Sequence, residues 1–412
     1  MHRLTALFVI STLSLIALAV GSQAAQSQTF TVLHAFTGGE DGATPWAGLT
    51  LDRAGILYGT TTEGLLGTVF QLKRTDGSWI LNTLNGFGVN QQDARFPLGR
   101  VVFGPDGTLY GTTLYGGSGH CSGGCGTVYN LRPPATDCKT VVCPWTRTVL
   151  YSFTGGPDGI GPYYVDPVFD HAGNLYGTTG FGGSAGDGAV FKLTPSGGGW
   201  KESVIHSFTG DGMEPESGVI FDSAGNLYGT TAFGGRYDQG TIYQLTPSGS
   251  GWNARILYSF QGIPDGANPF GALIFDRSGN LYGTTTQDGI LGGGTVFKLA
   301  PSGGSWTLSV LYALRGSNGC GPQGALAMDA AGNLYGTTVC GGANLHGSVF
   351  KLTPIEGGWT SSSLHDFTGG SDGGYPMSGV TLDANGNVYG TAERGGENCF
   401  GGGCGVVWEI TP

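Results

Sequence analysis

Charge is what this 412-residue sequence has least of. Charged residues make up 11% of it, against about 25% in an ordinary soluble domain. Basic residues are the scarcest, with 18 Lys plus Arg against 29 Asp plus Glu and a formal charge of −11. No Lys/Arg cluster breaks this acidity, so the phosphate-neutralising footprint of a nucleic-acid binder is missing and nucleic acid is excluded as a partner. Long apolar runs are equally few. Leu4–Val20 is the one such run; it follows Arg3 and precedes Ser22-Gln23-Ala24, so residues 1–24 read as a secretory signal peptide, with an uncleaved membrane anchor as the alternative. No other run could span a bilayer, so no membrane span is expected after signal cleavage. Segments of helical period are absent. So are a zinc-type His-x-x-x-His, a nucleophile elbow and a phosphate loop followed by a helix, and with them the common signatures of hydrolases and nucleotide enzymes.

What the chain has in excess is glycine, 81 residues, set at fixed offsets between alternating apolar runs, where it reads as turn and bulge chemistry. The offsets belong to a repeat. Asn-Leu-Tyr-Gly-Thr-Thr stands at Asn174–Thr179, Asn226–Thr231, Asn280–Thr285 and Asn333–Thr338, with variants at Ile56–Thr61, Thr108–Thr113 and Asn387–Ala392. A fixed period of this size marks a repeat architecture. One interval, Tyr110 to Tyr176, is stretched by a cysteine-bearing insertion.

One unit reads as four short strands: Gly218–Asp222, Leu227–Ala232, Gly240–Leu245 and Trp252–Phe260, separated by Gly- and Asn-containing turns. The third alternates apolar and polar residues with period two, as a half-buried strand does. Seven such units predict an all-β fold, a seven-bladed β-propeller of four-stranded antiparallel blades, occupying residues 25–412 as one domain. The last unit lacks its fourth strand. Val32-Leu33-His34-Ala35-Phe36 matches Val204–Phe208 and Ser363–Phe367, so the N-terminal strand is expected to close the ring as the outermost strand of the seventh blade.

The recurring Gly-x-Val-(Phe/Tyr)-x-Leu, as at Gly67–Leu72, Gly188–Leu193, Gly294–Leu299 and Gly347–Leu352, resembles the GloVer-type tandem repeat of secreted bacterial proteins over nearly all of the mature chain. That resemblance implies a secreted, periplasmic or cell-surface bacterial protein and assigns no catalytic residues. Asp-x-x-Gly-Asn-Leu-Tyr is also similar to the blade signature of gluconolactonase-like and streptogramin-lyase propellers, a likeness of blade geometry rather than chemistry.

Repetition separates structural residues from candidates for function. Asp52, Asp170, Asp222, Asp276, Asp329 and Asp383 precede Gly-containing turns in nearly every unit and read as turn caps. Asp41, Asp93, Asp158, Asp211, Asp265 and Asp372, with Asn318 in the remaining copy, read as Asx-type turns in the loops of the opposite, top face. The weaker alternative is a divalent cation such as Ca, which needs several carboxylates converging on one ion. Trp79, Trp145, Trp200, Trp252, Trp306 and Trp359 open the outer strands and are expected to pack between blades. His34, His206 and His365 alternate with Tyr151, Tyr258 and Tyr312 and read as packing residues. Residues that break the repeat on the top face are His120, Glu214, Glu216, Arg236, His346, Arg394 and Glu397.

Aromatics give the top face its candidate binding residues. Trp46, Phe96, Tyr163, Phe270 and Tyr375 each adjoin a blade-opening proline, while Tyr115, Phe181 and Phe233 adjoin loop glycines. They suit stacking on sugar rings or peptide side chains, or else they plug the gaps between blades. The reading that follows is a monomeric binding or scaffold propeller for extracellular polysaccharide or protein, without an identifiable catalytic motif or cofactor. The alternative is an extracellular lyase or lactone hydrolase with a metal in the central funnel. Eight cysteines in a secreted chain suggest disulfides. Placement on the blades pairs Cys121 with Cys125, Cys138 with Cys143, Cys320 with Cys340 and Cys399 with Cys404.

Overall fold

A computed structural model describes residues 28–64, 66–88, 93–134, 145–249, 251–396, 399 and 402–412. They form seven four-stranded antiparallel sheets in sequence order, the blades of a β-propeller. In the seventh, Thr29–Ala35 pairs antiparallel with Val406–Thr411 and lies outermost, ahead of Val388–Ala392 and Thr381–Leu382. The ring is closed by its N-terminal strand. The one helical element among the described residues is a single 3₁₀ turn, Gly316–Asn318.

Strand lengths differ from the sequence expectation in a regular way. In the fourth blade the innermost strand is only Ile220–Phe221, the second is Leu227–Thr231, and the hairpin beyond is longer than expected, Thr241–Ser248 with Gly251–Ser259. Crowding at the axis shortens the inner strand. A Cβ on Gly218 would stand 2.5 Å from the Asp166 carbonyl oxygen of the preceding blade, and one on Gly271 would stand 2.7 Å from that of Gly324. These inner segments meet backbone to backbone, and ladder pairing begins only where the blades diverge. The outer hairpins run free and carry a bulge at the same place in each blade, as between Ile242 and Tyr243.

The core is divided into seven clusters, each built by two adjacent blades. Tyr176, Val190 and Phe208 of the third blade pack with Val219, Leu227, Tyr243 and Leu245 of the fourth. The phenylalanine ending an outer strand meets the aromatic of the next blade's third strand edge to face: Phe36 on Phe70, Phe153 on Phe191, Phe208 on Tyr243 and Phe260 on Phe297, at centroid distances of 5.0–5.2 Å. The outer-strand tryptophans reach the repeat tyrosine of the preceding blade, as Trp200 does on Tyr110 and Trp252 on Tyr176 at 6.1 Å. Since no blade can bury both faces alone, these contacts make the ring one cooperative body.

Cys121 is joined to Cys125, Cys320 to Cys340 and Cys399 to Cys404, pairs that coincide with those placed from the sequence. Cys138 and Cys143 lie outside the described residues.

Candidate functional site

Each blade begins at the top face with a proline, and the residue after it stands at the mouth of the central axis. The proline is seated by a glycine of the preceding blade. Gly188, at φ +97°, lies so close to Pro215 that a Cβ would come within 2.5 Å of its Cδ, and Gly240 and Gly347 meet Pro269 and Pro376 at 2.6 Å. A residue with a side chain would meet both the steric clash and the left-handed backbone. Of the post-proline residues, Trp46, Leu98, Phe270, Gln323 and Met377 line one pocket at this mouth, to which the fourth blade contributes Ser217 in place of Glu216.

The third blade differs. It has one residue more between Pro162 and its inner strand than the other blades have, and Tyr164, at φ +50°, absorbs it. That backbone state is uncommon for a bulky residue and marks places where the fold holds a side chain against local preference. The held ring lies across the axis. Tyr164 stacks on Trp46 at 5.8 Å with 19° between planes, meets Phe270 edge-on at 6.5 Å, and is backed by Tyr163 at 4.6 Å. Blades one, three and five thus place three aromatics together. With Arg100, Asp166 and the inner glycines they line a pocket whose void, measured with its open mouth, is about 490 Å³.

The electrostatics of this mouth are uneven. Arg100 and Asp166 form an ion pair, the Arg100 backbone N–H donating to Asp166 at 2.7 Å and its Nε lying 3.3 Å from the second carboxylate oxygen without making a hydrogen bond. Glu216 is 8% exposed, and its Oε2 finds no hydrogen-bond partner among the described residues; neither does the buried Trp46 Nε1. Burial, with the nearby Glu214 charge, pushes the Glu216 carboxyl up to about 8. Glu393, also 8% exposed, lies 3.4 Å from the Arg394 Nε. Burial raises the Tyr164 phenol, and the Tyr163, Glu216 and Glu393 side chains raise it further. Two buried carboxylates therefore lie within electrostatic reach of the Tyr164 phenol.

The remaining candidate aromatics stand elsewhere on the top. Phe96 packs edge-on against Tyr115 at 5.7 Å, beside Arg95 and the Cys121–Cys125 loop. Tyr375 meets His346 at 5.6 Å and lies under the Arg394 guanidinium at 5.2 Å. Trp46, Phe96, Tyr163, Phe270 and Tyr375 are all half-buried, whereas Tyr115, Phe181 and Phe233 are exposed. The structure brings Trp46, Phe270 and Tyr163 to one place and leaves Phe96 and Tyr375 in separate loop clusters. Arg236 lies over its neighbour Tyr237, His120 is exposed on the Cys121 loop, and Glu397 lies outside the described residues.

The repeated aspartates are capping groups. Asp170 Oδ1 accepts from the Ala172 and Asn174 N–H groups, and its Oδ2 accepts from the Asn174 amide and the Tyr176 hydroxyl. In the top loops Asp158 accepts from Thr154 and Tyr151, and Asp372 from Thr368 and His365. His34 and His365 are thus hydrogen-bonded as well as packed, while His206 lies 3.8 Å from Asp211. Among the described residues no group of three or more His, Cys, Asp or Glu side chains is placed to share an ion.

Sequence reasoning missed Tyr164, Glu393 and the Arg100–Asp166 pair as parts of one site, and set Glu216 apart without a partner. The extra residue after Pro162 was the available signal, since a length change inside a strict repeat moves one side chain off its register.

Fold and site together define a seven-bladed repeat propeller with an aromatic axial mouth. The profile of the Gloeobacter/Verrucomicrobia repeat matches residues 163–404, more than half of the chain, and the chain belongs to that family. No curated protein matches it in sequence. Among solved structures it is similar to the extracellular domain assigned to a one-component system of B. thetaiotaomicron, at 13% identity and a TM-score of 0.55, covering 94% of this chain and 40% of that one. A second structure of the same extracellular domain, there assigned to a hybrid two-component system, gives 12% identity and a TM-score of 0.55 over 92% of this chain and 39% of that one. A protein classed as a 6-phosphogluconolactonase from Bacteroides uniformis gives 14% identity and a TM-score of 0.49 over 77% and 83%. Likeness at these identities reaches the fold and stops there.

Proposed function

We propose that this chain is an extracellular polysaccharide-binding propeller that seats its ligand at the axial mouth of the top face. The observation that carries the reading is the convergence of Trp46, Tyr164 and Phe270 from three non-adjacent blades, with the Trp46 indole N–H left without a hydrogen-bond partner among the described residues. Aromatic faces take the apolar face of a sugar ring, and the free polar atoms orient its hydroxyls. Three disulfides fit an oxidising compartment outside the cytosol.

The test is a glycan array probed with the mature protein, with and without a chelator, followed by affinity and melting measurements on Trp46→Ala, Tyr164→Ala and Phe270→Ala. Each change should weaken binding by about 1–3 kcal/mol, as for a central aromatic contact, while the melting temperature shifts little. Stability losses of about 3–5 kcal/mol, as for buried core aromatics, would make the three rings a plug of the axis and sink the proposal. The chelator arm reports on a divalent cation such as Ca. A protein ligand becomes the better reading if no glycan is retained.

A further inference from the structure

We propose that the pocket beside the Cys121–Cys125 loop of the second blade is a second ligand site, which takes the carboxylate of a uronic acid on Arg95 and its sugar ring on Tyr115. The pocket shares no lining residue with the axial mouth, and its void, measured with the open mouth, is about 1150 Å³, ample for a sugar ring. Its one cation is exceptional in this acidic chain. Arg100, Arg147 and Arg394 face Asp166, Asp93 and Glu393. Among the described residues no carboxylate lies within ion-pair distance of Arg95, and no Asp or Glu lines the pocket. The Arg95 Nη2 donates to the Gly123 carbonyl at 2.8 Å, which fixes the guanidinium against the loop. Its Nε is buried, whereas Nη1 has no hydrogen-bond partner among the described residues and is not closed off from solvent.

The rest of the pocket offers donors and a ring. Ser118 and Ser122 are exposed on its wall, and the backbone N–H groups of Ser118, Ser122 and Gly123 have no acceptor among the described residues. The disulfide and the Gly124 N–H, bonded to the Cys121 carbonyl at 2.9 Å, pin this wall before a ligand arrives. A single guanidinium matches a single negative charge, and its planar fork fits the two oxygens of a carboxylate. A doubly charged phosphate would lack a second cation. Tyr115 is exposed and steadied by Phe96 at 5.7 Å, so its face is open to the apolar face of a sugar. A bare oxyanion leaves that ring unused, and a neutral sugar leaves Arg95 without its opposite charge. A uronic acid answers both. The formal charge of −11 opposes an anion at long range, but a screening length of about 8 Å at physiological ionic strength leaves the local charge to decide.

The experiment is calorimetric titration of the mature protein, at physiological ionic strength, with a galacturonic acid trimer, its methyl-esterified counterpart, a glutamate tripeptide and inorganic sulfate. The acidic trimer should bind at least about tenfold more tightly than the esterified one, the worth of a hydrogen bond to a charged group. Arg95→Gln should erase that preference. Ser122→Asp should erase it too, by setting a carboxylate on an exposed wall residue, and it decides the matter if Arg95→Gln melts early. Tyr115→Ala should weaken both trimers by about fivefold or more, as for a contact aromatic, and Trp46→Ala should leave the preference intact. Equal affinity for the two trimers, a preference that survives Ser122→Asp, or trimer binding indifferent to Tyr115→Ala would overturn the proposal. So would a preference lost in Trp46→Ala, which would move the anion to Arg100 at the axial mouth. Tighter binding of the glutamate tripeptide would assign the pocket to acidic protein segments, and sulfate binding as tight as the trimer's would reduce it to an oxyanion hole without a sugar; either result sinks the proposal. If glycans bind only in a Trp46-dependent way, this site falls and the axial reading stands. If the acidic trimer binds through Arg95 while Trp46→Ala alters no glycan, the axial reading falls and this site stands.

Discussion

Every residue of Leu-Tyr-Gly-Thr-Thr has a separate task, which is why the motif recurs so strictly. The leucine is fully buried in an inter-blade core, and the tyrosine hydroxyl reaches back to the turn aspartate. The glycine lies beneath the third-strand aromatic, where a Cβ at Gly177 would stand 2.7 Å from the Phe191 ring. The first threonine donates to a backbone carbonyl of the next blade's inner segment in six blades, at 2.6–3.3 Å. The second shares a hydrogen bond with the Thr or Ser that opens the third strand. Thr178→Val tests the fourth task, because it keeps the shape and strands the Ser217 carbonyl in the interior. It should cost about 1–3 kcal/mol in a urea melt, and Thr178→Ser appreciably less. An unaffected Thr178→Val protein would show that blades are held by packing alone.

Glu216 makes a second residue-scale prediction, and its sign follows from the direction of its shift. Its folded value of about 8 lies above the ordinary 4.5, so the folded state holds a proton there that the unfolded chain releases. The stability tied to it is complete below the ordinary value and is lost as pH rises toward and through 8. Glu216→Gln removes this loss. Its melting temperature should exceed that of the wild type increasingly from pH 6 to pH 9, and the two should converge near pH 4. The half-buried His206 and His365, held low by desolvation against the pull of their aspartates, titrate in both proteins and cancel in the comparison. Parallel melting curves across this range would mean that Glu216 is solvated.

At the scale of elements, the sequence was most legible where periodicity was strict. Blade number, strand order and the outer-strand tryptophans could be read because each recurs at the same offset. The inner strands could not, since Gly218–Asp222 is apolar enough for a short strand while its first half is taken by backbone packing at the axis. The second blade shows a related limit. Its turn aspartate is Asp106, displaced toward the tyrosine by Pro105, yet it caps Thr108 and the Tyr110 hydroxyl as its counterparts do. The candidate site was half legible. Proline neighbours flagged Trp46 and Phe270, but the partner that gathers them, Tyr164, depends on one inserted residue whose effect is three-dimensional. The disulfides are a loop-scale test. Cys320–Cys340 ties the two top loops of the sixth blade across a separation of 20 residues, against 4 for Cys121–Cys125. Replacing Cys320 and Cys340 together by Ala should cost about 2–4 kcal/mol, and the shorter pair less, because a longer closed loop removes more unfolded-state entropy.

For the whole molecule the decisive element is the strand that closes the ring. Thr29–Ala35 supplies the outer edge of the seventh blade, and its residues feed two cores at once. Leu33 and Phe36 join the cluster between blades seven and one. Phe30 packs on the cluster between blades six and seven, stacking on His365 at 3.7 Å and meeting Phe367 edge-on at 5.8 Å. Deleting residues 28–36 should therefore damage both interfaces beside the seventh blade and leave Val406–Thr411 as an unpaired apolar edge, a template for pairing with other chains. Phe36→Ala alone should cost about 3–5 kcal/mol, the usual loss for a fully buried phenylalanine, and the deletion considerably more. The deleted protein is expected to aggregate or to melt far below the parent in scanning calorimetry. Because the missing piece is a single strand held by ladder hydrogen bonds and two packed faces, a synthetic peptide of residues 28–36 added in excess should restore a monomeric, higher-melting species in proportion to its concentration. A deletion that melts like the parent, or one that the peptide fails to restore while the remaining blades stay folded, would show that the ring is stable without its closing strand.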